Sequence, residues 1–189
     1  MSDNIYAAPD SSLQLTSEPP AIQEFYVVSK LKFYILFYTT IGLYGVYWNY
    51  KNWAQYKIAN NEDLWPIARA IFSLLFTHAL YSIVDMRVTE RDKNYKWHPN
   101  LWATLVVISL VLDNILGRME LTSALVYVFI FINIFVRGVF VFQAQAAINI
   151  ACNDSQGESN KKLTWINFLW IIPGTILLLL IFIGVFISV

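Results

Sequence analysis

The sequence predicts an all-α, polytopic helical membrane protein. Of its 189 residues, 57% are hydrophobic and only 14% are charged, and the mean hydropathy is +0.50. Soluble proteins are roughly 45–50% apolar and about 25% charged, so the chain departs from them in both respects. We expect residues 30–189 to form a single helical transmembrane domain. Its apolar residues fall into five segments, at 31–48, 64–84, 101–116, 121–142 and 166–189.

The first 29 residues differ from the rest of the chain. They contain acidic residues, a Pro-Pro pair and several serines. They lack the basic start and apolar stretch of a secretory signal. Low hydrophobicity combined with acidic charge is typical of disordered segments. We therefore expect residues 1–29 to form a disordered acidic tail, either simply solvated or docking a partner.

Three of the five segments have the length and composition of membrane spans, since a span needs about 20 apolar residues. These are 101–116, which Trp97 and Trp102 extend into the interface, together with 121–142 and 166–189. Segments 31–48 and 64–84 are marginal because each carries basic and hydroxyl side chains. Each marginal segment either spans the membrane or enters it and returns.

The distribution of Lys and Arg predicts the orientation, because these residues collect on the cytoplasmic side. They concentrate in loop 85–100 and just before the last segment, at Arg87, Arg91, Lys93, Lys96, Lys161 and Lys162. Placing both loops in the cytoplasm puts the C-terminus outside. The N-terminus is cytoplasmic if both marginal segments span or if both return, and it is outside if only one of them spans; we favour a cytoplasmic N-terminus. The Lys and Arg counts alone do not settle this choice.

Ionisable side chains inside apolar segments usually face partners on neighbouring helices. Arg69, His78 and Asp85 lie along one polar stripe of segment 64–84, and Asp113 and Arg137 lie in the two segments that follow. At 1.5 Å per residue, five spans would place Arg69 level with Asp113, and Arg137 level with Asp85 or His78. We therefore predict two interhelical polar pairs, Arg69–Asp113 and Arg137 with Asp85 or His78. The alternative is an ion or proton path along the stripe, which the location of both acids near the segment ends disfavours.

The stretch "TTIGLYGVYWNYKNW", residues 39–53, combines two glycines with a series of aromatic side chains. Amphipathic rings that recur every third residue drift around a helix, as in an interfacial belt. Such a helix would be longer than the headgroup layer is deep, so we predict a bend, which Gly42 and Gly45 make less costly. Phe33–Tyr47 should then dip into the bilayer and Asn49–Asn60 lie along its surface. The predicted interfacial anchors are Tyr44, Tyr47, Trp48 and Trp53.

The sequence contains few residues or motifs that indicate catalysis or the binding of a metal or nucleotide. Nucleotide-binding loops and the HExxH zinc motif are absent, and His78 and His98 lie twenty residues apart. The single cysteine, Cys152, has no histidine or basic residue close in sequence, so we interpret it as a small hydrophobic residue. The zero net charge provides no basic field for nucleic acid. We predict no enzyme activity, no cofactor, no metal site and no nucleic-acid partner.

The residues "TIGLYGVYW", 40–48, resemble the T-x-G-I-Y-G-x-Y-W signature of a family of small bacterial inner-membrane proteins of unknown function. The resemblance covers Phe33–Trp53, with Leu43 in place of the usual Ile; the matching residues are Gly42, Tyr44, Gly45, Tyr47 and Trp48. "DLWPIARAIFSLLFTHAL" and "GESNKKLTWINFLW" add a general likeness to longer proteobacterial relatives. The resemblance implies a bacterial inner-membrane location. It implies no activity, ligand or catalytic residue.

Two functions fit these observations. The first is an accessory or scaffold protein that binds the lipid bilayer and another membrane protein or a second copy of itself. The second is a small transporter or channel subunit that uses the polar residues Arg69, His78, Asp85 and Arg137. A kink expected at Pro173-Gly174 favours the second function. The lack of an internal sequence repeat, on which many transporters are built, disfavours it.

Overall fold

The structure, a computed structural model, describes residues 23–118 and 124–187. All regular structure in these residues is helical, which confirms the predicted fold class. The helices are α1 (Lys30–Thr39), α2 (Tyr44–Asn60), α3 (Pro66–Ile71), α4 (Ser73–Arg91), α5 (Pro99–Leu116), α6 (Ala124–Ala151) and α7 (Trp165–Ile187), with a 3-10 turn at Glu158–Asn160.

Three helices are long and apolar enough to cross a membrane, and they correspond to the three clear segments of the sequence. Their apolar windows are Pro99–Leu116, Leu125–Ala151 and Trp165–Gly184. The chain is therefore a helical membrane protein. Helix α6 has 28 residues and a length of about 42 Å, which exceeds the roughly 30 Å of a bilayer core. It continues well past residue 142, where the sequence predicted the span to end.

The first marginal segment, 31–48, is two helices rather than one. Helix α1 ends at Thr39, and the chain turns through Ile41 and Gly42, whose φ angles are +55° and +82°. With ten residues, α1 is about 15 Å long, half the thickness of a bilayer core. The predicted bend exists, but it lies at residues 40–43. The prediction that the helix continues to Tyr47 before it bends is wrong.

The second marginal segment, 64–84, is also interrupted. The short helix α3 has six residues and ends at Phe72, whose backbone leaves the helical region, and α4 then runs from Ser73 to Arg91. Pro66 occupies the first helical turn of α3, where its missing N–H costs nothing. A single helix over 64–84 is therefore also wrong.

Helix α6 is the centre of the bundle and packs against α1, α4 and α5. Helix α2 packs on α3 and α4, while α7 contacts the bundle mainly through α1. Apolar and aromatic side chains fill the core between these helices. The largest that are fully buried are Trp48, Trp53, Tyr81, Phe25, Phe33 and Phe37.

Helices α1 and α2 form a hairpin that starts and finishes at one end of the bundle, here called the polar end. There Glu24 Oε1 accepts hydrogen bonds from Asn60 Nδ2 at 2.7 Å and from Arg87 Nε at 2.9 Å. The tip of the hairpin, Thr40–Leu43, reaches the middle of the long helices. Gly42 lies against Arg137 of α6, and the Thr39 backbone lies against Gly174 of α7.

Residues 23–29, the last part of the predicted disordered tail, are ordered and enter the core. Phe25, Val27 and Val28 are almost completely buried, and Ser29 precedes α1 in an extended conformation. The prediction of a disordered tail is wrong for these seven residues, because their apolar side chains have a core to enter. Residues 1–22 lie outside the described residues.

Candidate functional site

A polar cluster joins α5 to α6, and we call it the interhelical cluster; its members are Ser109, Asp113, Asn133 and Arg137. Arg137 Nη1 donates to Asp113 Oδ2 in an ion pair. Asn133 Nδ2 donates to Asp113 Oδ1 at 2.6 Å and to Ser109 O at 2.8 Å, while Ser109 Oγ donates to Asn133 Oδ1 at 2.9 Å. Arg137 is only 7% exposed, whereas the Asp113 side chain is 29% exposed, so the arginine is buried and the carboxylate is partly buried.

The arrangement follows from helix geometry. Asn133 and Arg137 are one turn apart on α6, and helical side chains lean towards the N-terminus of their helix. The long side chain of Arg137 therefore reaches back to the level of Asn133, which lies opposite Ser109 and Asp113 on α5. The carboxylate receives one charged and one neutral donor, as a buried charge requires.

The predicted pair Arg69–Asp113 does not form. The Arg69 guanidinium lies over the Trp53 ring, 4.3 Å from its centroid, and 5.2 Å from the centroid of Phe76. Arg69 belongs to the short helix α3, which packs on α2 and α4 rather than on α5. The prediction failed because it treated segment 64–84 as one span.

The predicted pairing of Arg137 with His78 or Asp85 is also wrong. His78 Nε2 lies 3.1 Å from Thr104 Oγ1, and Asp85 Oδ1 accepts a hydrogen bond from Trp97 Nε1 at 2.7 Å. Because α6 runs to Ala151, Arg137 lies at its middle rather than near the inner end. Arg69, His78, Asp113 and Arg137 each contact a side chain of another helix, whereas the partner of Asp85 lies in the loop before α5. Among the predicted residues, Asp113 and Arg137 pair with each other.

The hairpin tip contacts the interhelical cluster. A Cβ atom on Gly42 would lie 2.9 Å from Arg137 Nη2, so the guanidinium packs directly on this glycine. Thr40 Oγ1 accepts the Tyr44 N–H at 2.9 Å and donates to Leu36 O at 2.7 Å. These contacts satisfy backbone groups where the helix is broken, as non-helical backbone at membrane depth requires.

Most of the aromatic residues predicted as interfacial anchors belong to the core. Tyr44, Trp48 and Trp53 are 6%, 1% and 0% exposed, whereas Tyr47 is 44% exposed. The belt prediction is wrong for the three buried rings, because α2 folds back onto the bundle instead of lying along a surface. Gly45 lies inside α2 and not at the bend.

A second polar group, the amide cluster, consists of Asn52, Gln145, Asn149 and Asn160 and holds the extended segment 24–29. Asn149 pairs with Val28 through both of its amide atoms, accepting N–H at 3.3 Å and donating to C=O at 3.0 Å. The other contacts to this backbone are Tyr26 N–H to Asn52 Oδ1 (3.0 Å), Gln145 Nε2 to Tyr26 O (3.1 Å) and Asn160 Nδ2 to Val27 O (2.8 Å). Gln145 Oε1 also accepts a hydrogen bond from Trp48 Nε1.

The loop after α6 closes over the same segment. Gly157 has φ +68°, and a Cβ atom there would lie 2.5 Å from the backbone of Val28 and Ser29. Lys32 is buried and donates to Asn160 Oδ1 at 2.7 Å and to Lys162 O at 2.8 Å.

Sequence reasoning missed the amide cluster as a site. Gln145 and Asn149 are one helical turn apart in an otherwise apolar helix, and this spacing indicates a buried polar face. The partner could not be predicted, because it is an extended segment more than 100 residues earlier in the chain.

Two surface cavities accompany these clusters. An apolar groove of about 380 Å³ lies between the end of α1, α6 and α7, and it is lined by Tyr38, Ile41, Phe131, Phe135, Leu178 and Phe182 among others. A second cavity of about 350 Å³ lies beside His98–Leu101. Within the described residues, no group of three or more His, Cys, Asp or Glu side chains has the arrangement of a metal site.

No protein-family model, curated protein or solved structure matches the chain.

Proposed function

We propose that the protein is an accessory or scaffold protein of the bacterial inner membrane that binds another membrane protein through α7. The inner-membrane location rests on the sequence signature at residues 40–48. The orientation rests on the Lys and Arg residues near the polar end, which is then cytoplasmic, together with the N-terminus. The end of α7 is then periplasmic.

The main observation in favour of this function is the exposure of α7. None of the residues in its spanning window is buried, although the helix is long enough to cross the membrane. Gly174 and Leu178 lie on the side of α7 that faces the rest of the chain. The opposite side, which we call the free face of α7, carries Leu169, Ile172, Ile176, Leu179 and Ile183, each more than half exposed. A continuous apolar face of this length suits an apolar transmembrane helix of a partner.

The interhelical cluster also favours a scaffold. Each of its four side chains bonds to another member, and the larger cavity is apolar. A transport site would need a polar cavity with groups free to bind solute. A firmly paired cluster instead fixes the bundle, as a structural protein requires.

Site-specific photo-crosslinking in intact membranes tests this proposal. A photoreactive residue at Ile176 should give one discrete protein adduct, and the same residue at the exposed Ile108 of α5 should give none. Leu179→Trp, one turn away on the free face, should abolish the adduct, whereas Ile108→Trp should not. Equal adducts at both sites, or none at Ile176, would contradict a partner at the free face.

The alternative, a small transporter or channel subunit, is favoured by one observation. The end of α1 and the start of α2 meet at mid-bundle next to Arg137, and discontinuous helices at this depth form the binding sites of many transporters. Purified protein in liposomes should then pass solute, and Arg137→Gln should reduce the flux. If the liposomes show no solute flux, the result favours the scaffold function.

A further inference from the structure

An aromatic ladder leads from the polar end to the apolar groove. Its rings lie in the order Phe142, Tyr34, Tyr38 and Phe135, with the two outer rings on α6 and the two inner rings on α1. Successive ring centroids are 4.9, 5.5 and 5.2 Å apart. Phe135 is 60% exposed, and both it and Tyr38 line the groove. The ladder and the groove therefore form one apolar track on the outside of the bundle.

A basic corner lies at the start of this track. Lys30 is exposed, and its Nζ lies 5.7 Å from the centroid of Phe142, the first ring of the ladder. The neighbouring Lys32 is buried, and its ammonium group donates to Lys162 O and Asn160 Oδ1, so Lys30 is the lysine of the first turn of α1 that faces outward. No ion pair joins Lys30, Lys32 or Lys162 to a carboxylate within residues 23–118 and 124–187.

The N-terminus of α1 adds to the positive potential of this corner. The first turn of α1 contains two lysines and no acidic residue, and Ser29 makes no side-chain capping hydrogen bond. A helix N-terminus favours negative charge, so lysines there are unfavourable unless an anion is bound. The charge of this corner thus complements an anionic group.

The dimensions of the track match one leaflet of a bilayer. Phe142, the first ring of the ladder, and Phe131, in the lining of the groove, are eleven residues apart on α6, which corresponds to about 16 Å along the helix. One leaflet contributes about 15 Å of hydrocarbon. A phosphate at Lys30 would therefore place the end of an acyl chain in the groove.

We propose that this surface binds one anionic phospholipid, with its phosphate at Lys30 and an acyl chain along the ladder into the groove. The lipid would neutralise the basic corner and cover the seam between α1, α6 and α7. This site is separate from the free face of α7, so it does not depend on the scaffold proposal.

Native mass spectrometry of the purified protein in mild detergent tests the proposal. With phosphatidylglycerol and phosphatidylcholine of identical acyl chains, the protein should retain one phosphatidylglycerol at least several-fold more strongly. Lys30→Gln should remove this preference, while Lys93→Gln, which changes an exposed lysine of another loop, should leave it intact. Equal retention of the two lipids, or equal effects of the two variants, would refute the site.

Two further comparisons identify what occupies the groove. Leu178→Trp should fill it and weaken retention of both lipids, with circular dichroism and the elution profile confirming the fold. Glycerol phosphate, which lacks acyl chains, should not displace phosphatidylglycerol. Displacement by glycerol phosphate would indicate a soluble-anion site instead.

A change from dimer to monomer in Leu178→Trp without lipid loss would indicate a contact between two copies. Lys30→Gln tests the headgroup independently if Leu178→Trp does not fold.

Discussion

Asp113 and Arg137 carry opposite charges inside an apolar bundle, where removing each ion from water costs several kcal/mol. Their mutual attraction offsets this cost only when the remaining donors and acceptors are also paired. Asn133 supplies that pairing, since its amide donates to Asp113 Oδ1 and accepts from Ser109 Oγ. The cluster therefore fixes the register of α5 against α6, because a shift by one residue would separate these groups.

A double-mutant cycle tests the ion pair. Asp113→Asn should destabilise the protein by about 3–5 kcal/mol because it leaves the buried Arg137 unpaired, and Arg137→Met should destabilise it by less because the Asp113 side chain is 29% exposed and keeps its hydrogen bond from Asn133. The double variant should be less destabilised than the sum of the two. The measurement is thermal stability in detergent. The matched cycle of Asp113→Asn with Arg69→Met should be additive; coupling there, and none with Arg137, would contradict the structure.

Gln145 and Gln143 provide a matched comparison for the amide cluster. Gln145 is fully buried and bonds Tyr26 O and the Trp48 indole, whereas Gln143 is half-buried on the same helix. Gln145→Ala should lower the free energy of unfolding by about 2–4 kcal/mol, because it leaves buried groups unpaired. Gln143→Ala should change it by less than about 1 kcal/mol. Similar losses for the two variants would mean that the cluster does not hold segment 24–29.

The sequence identified Asp113 and Arg137 as interhelical but assigned them the wrong partners. Depth was counted from the ends of the predicted apolar segments, and α6 continues nine residues, or about 13 Å, beyond Phe142, where the predicted span ends. Composition reveals that a charge is buried. The location of its partner depends on where the helices end. At the C-terminus of α6 the helix contains polar side chains, and these are buried because the extended segment 24–29 packs against them.

At the scale of elements, the α1–α2 hairpin and the three long apolar helices have different requirements. Helices α5, α6 and α7 follow from hydrophobic length alone. The α1–α2 hairpin instead needs a turn at mid-bundle, and there the backbone passes through φ +55° at Ile41 and +82° at Gly42. Glycine tolerates such angles, while a side chain at Gly42 would also meet Arg137.

Gly42 and Gly45 should respond to alanine in opposite directions. Gly42→Ala should destabilise the protein by at least about 1 kcal/mol, because of the positive φ and the contact with Arg137. Gly45→Ala should stabilise it by up to about 1 kcal/mol, since Gly45 is inside α2 and its Cβ would make an ordinary 3.5 Å contact with Phe37. Thermal unfolding of the two variants measures both effects. Equal destabilisation would contradict the position of the turn.

Gly174 and Gly184 make a second matched pair, on α7. A Cβ at Gly174 would overlap the Thr39 backbone, whereas one at Gly184 would meet nothing within 4 Å. Gly174→Ala should therefore separate α1 from α7 and destabilise the protein by about 1–3 kcal/mol, while Gly184→Ala should be neutral or slightly stabilising. A cysteine crosslink between α1 and α7 would report the separation; unchanged crosslinking in Gly174→Ala would exclude this contact.

The helix breaks could be predicted only in part. The two glycines indicated a bend within residues 39–53, but spacing gave no reason to choose Gly42 over Gly45. The choice depends on which glycine takes positive φ, and that follows from how α2 folds back onto α3 and α4. The break at Phe72 has no glycine or proline at its position, so it had no signal in the sequence.

For the whole molecule, the polar end gathers the start of α1, the end of α2, Arg87 and the loop after α6. The chain runs along α1 to the hairpin tip at mid-bundle and returns along α2 to the polar end. Helix α7 leaves the polar end and passes the hairpin tip, where Gly174 meets the Thr39 backbone, so its C-terminal end lies away from residues 24–29.

Residue Glu62, in the loop between α2 and α3, distinguishes this arrangement from five spans most directly. Cys152 is the one cysteine of the sequence, so Cys152→Ser is a suitable background for single cysteines. An impermeant thiol reagent, applied to membrane vesicles of known orientation, should label Glu62→Cys and Lys93→Cys from the cytoplasmic side and Arg118→Cys from the opposite side. Labelling of Glu62→Cys from the same side as Arg118→Cys would mean that 31–48 crosses the membrane and would contradict the hairpin.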